Sequence, residues 1–168
     1  INIRCQAKSN QTEFPYLINY LKQGSIYSLT LTNKKYSRIQ NKSFQNLTIT
    51  NLDLSNNQID LIEHMGFSGL RMLKRLVLAS NRFIHISFNT RELVNLIELD
   101  LSWNRIETVE KIAFDFLSKL ERLNLNLNKI SKIEPHNLFS GLISLKTLNL
   151  KGNSFKKCDY FFENFNML

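Results

Sequence analysis

The side chains of this chain that could do chemistry are few. Imidazoles stand at His64, His85 and His136, thiols at Cys5 and Cys158, and one indole at Trp103. Cations recur at Lys35, Arg82, Arg105, Lys129 and Lys132. A zinc centre needs three or four ligands converging on one point. The three His lie in different stretches of the chain, and Asp and Glu occur singly, so no metal centre and no cofactor is expected. G-x-S-x-G, a phosphate-cradling Gly loop and H-E-x-x-H are all missing from the sequence, which removes the usual signatures of nucleophilic, phosphoryl-transfer and zinc-hydrolase enzymes. What remains is non-covalent. Guanidinium and ammonium groups hold carboxylate, sulfate or phosphate, and an exposed aromatic anchors a contact. The expected activity is recognition, without catalysis.

The cations keep a period. Arg82, Arg105 and Lys129 each follow an Asn, and the Asn residues Asn57, Asn81, Asn104, Asn128 and Asn153 recur at steps of 24, 23, 24 and 25. Each closes the skeleton L-x-x-L-x-L-x-x-N, as in Leu73, Leu76, Leu78, Asn81 or Leu96, Leu99, Leu101, Asn104. The second copy begins with Ile49. A degenerate first copy runs Ile26, Leu29, Leu31, with Lys34 in the Asn position and Lys35 after it. Self-similarity at a fixed short period replaces the globular expectation with a solenoid.

Each copy opens with apolar residues at alternate positions, the signature of a short strand. One such strand cannot bury its own apolar face, whereas stacked copies can, as a parallel sheet with strands about 4.8 Å apart. The recurring Asn both donates and accepts, so a column of them can bond the backbones of neighbouring coils. The outer half repeats too. Ile59, Phe83, Ile106, Ile130 and Phe155 stand two places after each Asn, and Phe44, Phe67, Phe114 and Phe139 recur further on. Stacked rings there predict an apolar column on the outer arc. In the third copy Phe88 arrives early and Thr90-Arg91 occupies the usual Phe region, so an irregularity is expected.

This skeleton resembles the leucine-rich repeat family over roughly residues 26 to 157. The resemblance implies an α/β solenoid, a curved horseshoe with a parallel concave sheet and a loop-rich convex face. It has about six repeats, starting near 26, 49, 73, 96, 120 and 145. Residues 1–25 resemble part of the cysteine-capped N-terminal module of extracellular members, through Ile3-Arg4-Cys5 and Thr12-Glu13-Phe14-Pro15. That module normally carries further cysteines, so the resemblance implies a partner for Cys5 outside this chain. Cys158 fits a small buried core residue and a capping cysteine equally. About five coils separate the two thiols, on the order of 20 Å, too far for one disulfide. The irregular stretch through Phe161, Phe162 and Phe165 reads as an unfinished coil, as in a fragment of a larger ectodomain.

With 22 Lys and Arg against 14 Asp and Glu, the net charge of +8 suits an anionic partner, although Lys-rich faces are often merely solvated. No run of about 18 apolar residues occurs, so a membrane is reached only through segments outside the chain. Three N-x-S/T sequons, at Asn10, Asn41 and Asn46, favour secretory routing. Two surfaces follow from the stacking. Lys74, Arg75, Glu98, Asp100, Trp103, Arg122 and Leu127 are expected on the concave side. Lys35, Arg82, Arg105, Lys129 and Lys132 are expected along one flank. The repeat length, recurring Phe, Cys5 and sequons resemble Toll-like receptors. That implies an extracellular innate-immune receptor that dimerises, homotypically or with another repeat ectodomain, around a protein or an anionic ligand (nucleic acid, glycan or lipid). The alternative is an adhesion, guidance or matrix protein that grips protein partners on its concave face.

Overall fold

The computed structural model describes residues 2–4, 26–134 and 137–155. Cys5, Asn10, His136 and Cys158 lie outside the described residues. Every copy contributes one short strand to a single sheet. In chain order the strands are β1 (Asn2–Arg4), β2 (Ile26–Thr30), β3 (Arg38–Ile39), β4 (Ile49–Asp53), β5 (Leu61–Ile62), β6 (Arg75–Val77), β7 (His85–Ile86), β8 (Glu98–Asp100), β9 (Thr108–Val109), β10 (Arg122–Asn124) and β11 (Thr147–Asn149). The main sheet runs β1-β2-β4-β6-β8-β10-β11, parallel throughout. The pairs β3-β5 and β7-β9 form two small sheets between successive coils. Helix is confined, among the described residues, to a 3₁₀ turn at Lys111–Ala113.

Register follows burial. Leu29, Leu52, Leu76, Leu99 and Leu123 pair across the sheet and are fully buried. A one-residue slip would turn this column outward, so the leucines lock the register. Leu31, Leu54, Leu78, Leu101 and Leu125 fill the next layer. The outer arc closes the core with rings. Phe44 stacks on Phe67, which meets Phe88 edge-on at 5.6 Å, and Phe114 pairs with Phe139, also at 5.6 Å. The early Phe88 thus enters the aromatic column from an irregular loop. Thr90 is buried, and its hydroxyl has no hydrogen-bond partner among the described residues.

The Asn side chains tie coil to coil. Asn104 Nδ2 donates to Leu101 O in its own coil and to Leu78 O in the one before, both at 3.0 Å, while its Oδ1 accepts from Phe83 N–H. Asn57, Asn81, Asn128 and Asn153 repeat the pattern against Leu31, Leu54, Leu101 and Leu125. Replacing a ladder member by Leu leaves those backbone groups buried and unpaired. Asn104→Leu is expected to cost about 2–3 kcal/mol, seen as a lowered midpoint in urea. An unchanged midpoint would show that the ladder is dispensable.

Candidate recognition surface

Residues between the buried leucines face the concavity in two columns. The first is Ser28, Asn51, Arg75, Glu98, Arg122 and Thr147; the second is Thr30, Asp53, Val77, Asp100, Asn124 and Asn149. Their charges are already matched. Glu98 takes Arg75 Nε at 3.1 Å and Arg122 Nη2 at 3.7 Å. Glu121 takes Arg122 Nη1 at 3.5 Å and Lys146 Nζ at 3.0 Å. A chain of alternating charges therefore crosses four coils. Lys74 stands beside it, exposed and without an ion pair among the described residues.

The second column is largely structural. Asp53, Asp100, Asn124 and Asn149 each accept, through Oδ1, the N–H two residues on. These Asx turns end the strands. Asp100 also accepts from Ser102 Oγ at 2.6 Å, so its carboxylate is engaged in holding the turn. Val77 interrupts the column and is buried.

The turn then passes through the left-handed region. Asn33, Asn56, Ser80, Trp103 and Leu127 have φ of 53–58°, and Gly152 has 72°. Asn and Gly tolerate this conformation, whereas other side chains lose roughly 1–2 kcal/mol in it. Gly152 also leaves room for the coil before, because a Cβ there would lie 2.8 Å from Leu127 Cδ2. Trp103 and Leu127 thus stand at the rim between sheet and flank, 61% and 38% exposed. The sequence carried a signal for this column in Asn33, Asn56 and Gly152, and the pattern of apolar residues alone missed it.

Beyond the ladder comes the flank. Arg82, Arg105 and Lys129 donate their N–H groups to Ile59 O, Phe83 O and Ile106 O, at 2.8–2.9 Å. Successive coils therefore stack the three cations in one row about 4.8 Å apart. Gln58 and Ser154 continue it by the same bond, to Tyr36 O and Ile130 O. Lys35, Arg82, Arg105 and Lys129 are exposed, and none makes an ion pair among the described residues. Lys132 differs: Glu134 holds it at 2.8 Å. The next column bears Asp60, Ile84 and Glu107, and Ile84 is also exposed. His85 Nδ1 lies 2.6 Å from Thr108 Oγ1. Among the described residues no three His, Cys, Asp or Glu side chains are grouped to hold a metal.

The remaining faces are built differently. On the opposite flank Arg71 holds Glu92 at 2.7 Å, and that hydrogen bond lowers the carboxyl's pKa below its ordinary value. On the outer arc Asn41 Oδ1 accepts from Met65 N–H at 2.8 Å, and Asn41 and Asn46 are both exposed. A small cavity nearer β11 is lined by Val109, Ile133, Leu138 and Phe139 and opens beside Lys132 and Glu134.

A parallel sheet of one short strand per coil, an Asn ladder and ruled exposed columns define a repeat scaffold that presents surface. The chain belongs to the leucine rich repeat family, whose profile matches residues 24–83 and 94–155. A search of curated protein sequences gave no match. Solved structures share the fold, and two of them are complexes. One is the TLR13–ssRNA13 complex, 27% identical with a TM-score of 0.74, covering 79% of this chain and 19% of that one. The other is the Toll–Spatzle complex, described as a molecular hub in Drosophila development and innate immunity. It is 26% identical with a TM-score of 0.71, covering 77% of this chain and 19% of that one. The chain thus spans about a fifth of either relative's length.

Exposed ion pairs contribute about 0–1 kcal/mol each. Glu98→Gln should therefore lower stability by less than about 2 kcal/mol although it breaks two pairs. A larger loss in thermal unfolding would make the concave charges part of the scaffold.

Proposed function

We propose that these coils are a non-enzymatic recognition segment of an extracellular receptor. In the longer protein it serves innate-immune sensing, with dimerisation on ligand. The supporting observation is the shared architecture with TLR13 and Toll over more than three quarters of the chain. One of those structures holds ssRNA13 and the other Spatzle, so both nucleic-acid and protein ligands are within reach of this scaffold.

Charge narrows where an anion would land. The concave charges neutralise one another through Glu98 and Glu121, whereas Arg82, Arg105 and Lys129 make no ion pair among the described residues. Like charges at that spacing repel until an anion or counterions intervene. The flank is therefore the proposed anionic contact. Glycans on Asn41 and Asn46 would sit on the outer arc of the first coil, away from both surfaces. Asn41 Oδ1 can keep its bond to Met65 N–H while Nδ2 carries the sugar.

The test is direct titration of the chain with single-stranded RNA, a sulfated glycan and an acidic protein at low and moderate salt. At least one should bind in a salt-sensitive manner. Arg82→Glu with Arg105→Glu should weaken that binding about tenfold or more and flatten its salt dependence. Equal binding by the double variant would remove the flank, and no binding by any class would remove the recognition reading. Expression through a secretory host should give a glycosidase-sensitive mass that Asn10→Gln, Asn41→Gln and Asn46→Gln together abolish. An unmodified wild-type chain would argue against secretory routing.

A further inference from the structure

Two large apolar side chains occupy positions that the backbone disfavours. Trp103 and Leu127 hold the left-handed turn before the ladder Asn, at φ of 55° and 53°. Other coils place Asn33, Asn56, Ser80 or Gly152 there. Burial does not offset the strain at Trp103, which is 61% exposed. Strained, exposed residues of this kind are a feature of contact sites. Beyond the ladder Asn lie Arg82, Arg105 and Lys129, with no ion pair among the described residues, and Ile84 is exposed beside them. Glu107 interrupts this patch and marks where a partner's carboxylate does not sit.

We propose that Trp103 and Leu127 form a docking ridge for an acidic, amphipathic polypeptide segment of a partner protein. An apolar side chain of the partner lies against the indole and Leu127, while its carboxylates take Arg82, Arg105 and Lys129. This rests on the recognition reading above and names the partner's chemistry. A second copy of this chain fits poorly, because a net charge of +8 would bring like-charged flanks together. Single-stranded nucleic acid fits less well than a polypeptide. It binds through successive aromatic platforms, and Leu127, the neighbour of Trp103 in this column, has no π face.

Trp103 is the only tryptophan of the chain, so its fluorescence reports this site alone. The probe is a short peptide of alternating Glu and Leu, with its Gln–Leu counterpart and a single-stranded oligonucleotide as comparisons. The Glu–Leu peptide should shift the emission to the blue, saturably and less at high salt. Arg82→Glu with Arg105→Glu should weaken it about tenfold or more. Trp103→Asn, followed with a labelled peptide, should abolish binding and raise the melting temperature by a few degrees, because Asn tolerates the turn. A lower melting temperature for Trp103→Asn would mean that the indole supports its own coil. An emission moved by the oligonucleotide and not by the peptide would give the ridge to the wrong class of partner. No movement with either would remove the ridge, while salt-sensitive binding to the chain elsewhere would leave the receptor reading standing.

Discussion

The ladder of asparagine amides is the interaction on which the rest depends. Strands of three to five residues cannot stand alone, and their paired hydrogen bonds end where the chain leaves the sheet. At that point each ladder Asn donates to two carbonyls in different coils and accepts an N–H from the coil before. The amide satisfies groups that would otherwise be buried without partners. It also fixes the rotation of one coil on the next. The leucine columns, the turn column and the cationic row inherit their order from that rotation.

Much of this was legible in the sequence, because only a few residue types meet the demands of the interior. A Leu at each inward strand position and an Asn at each exit leave little choice of register. The break at Thr90-Arg91 was legible too, from the early Phe88, whereas the packing of that ring against Phe67 came only with the structure. The charge partners of the surface were not. Whether Glu98 reaches Arg75, Arg122 or solvent depends on side-chain rotation, which spacing does not set. Asp100 read as a contact residue and is engaged in an Asx turn, a role visible only from the geometry two residues on. Trp103 was legible as exposed, but not as left-handed.

The two surfaces divide the electrostatics of the molecule. The sheet face spends its charges internally, as a zipper of alternating sign over four coils. The flank accumulates charge of one sign because its column repeats the same position of the repeat. A solenoid turns any positional bias in sequence into a line on the surface. Its net charge is therefore less informative than the column in which that charge falls.

The ladder also has a direction. Asn81 satisfies Leu54 O, Asn104 satisfies Leu78 O and Asn128 satisfies Leu101 O, always reaching back toward the earlier coil. A coil is therefore complete only once its successor exists. During synthesis on the ribosome, assembly would trail the emerging chain by one coil, each newly made segment locking the one ahead of it.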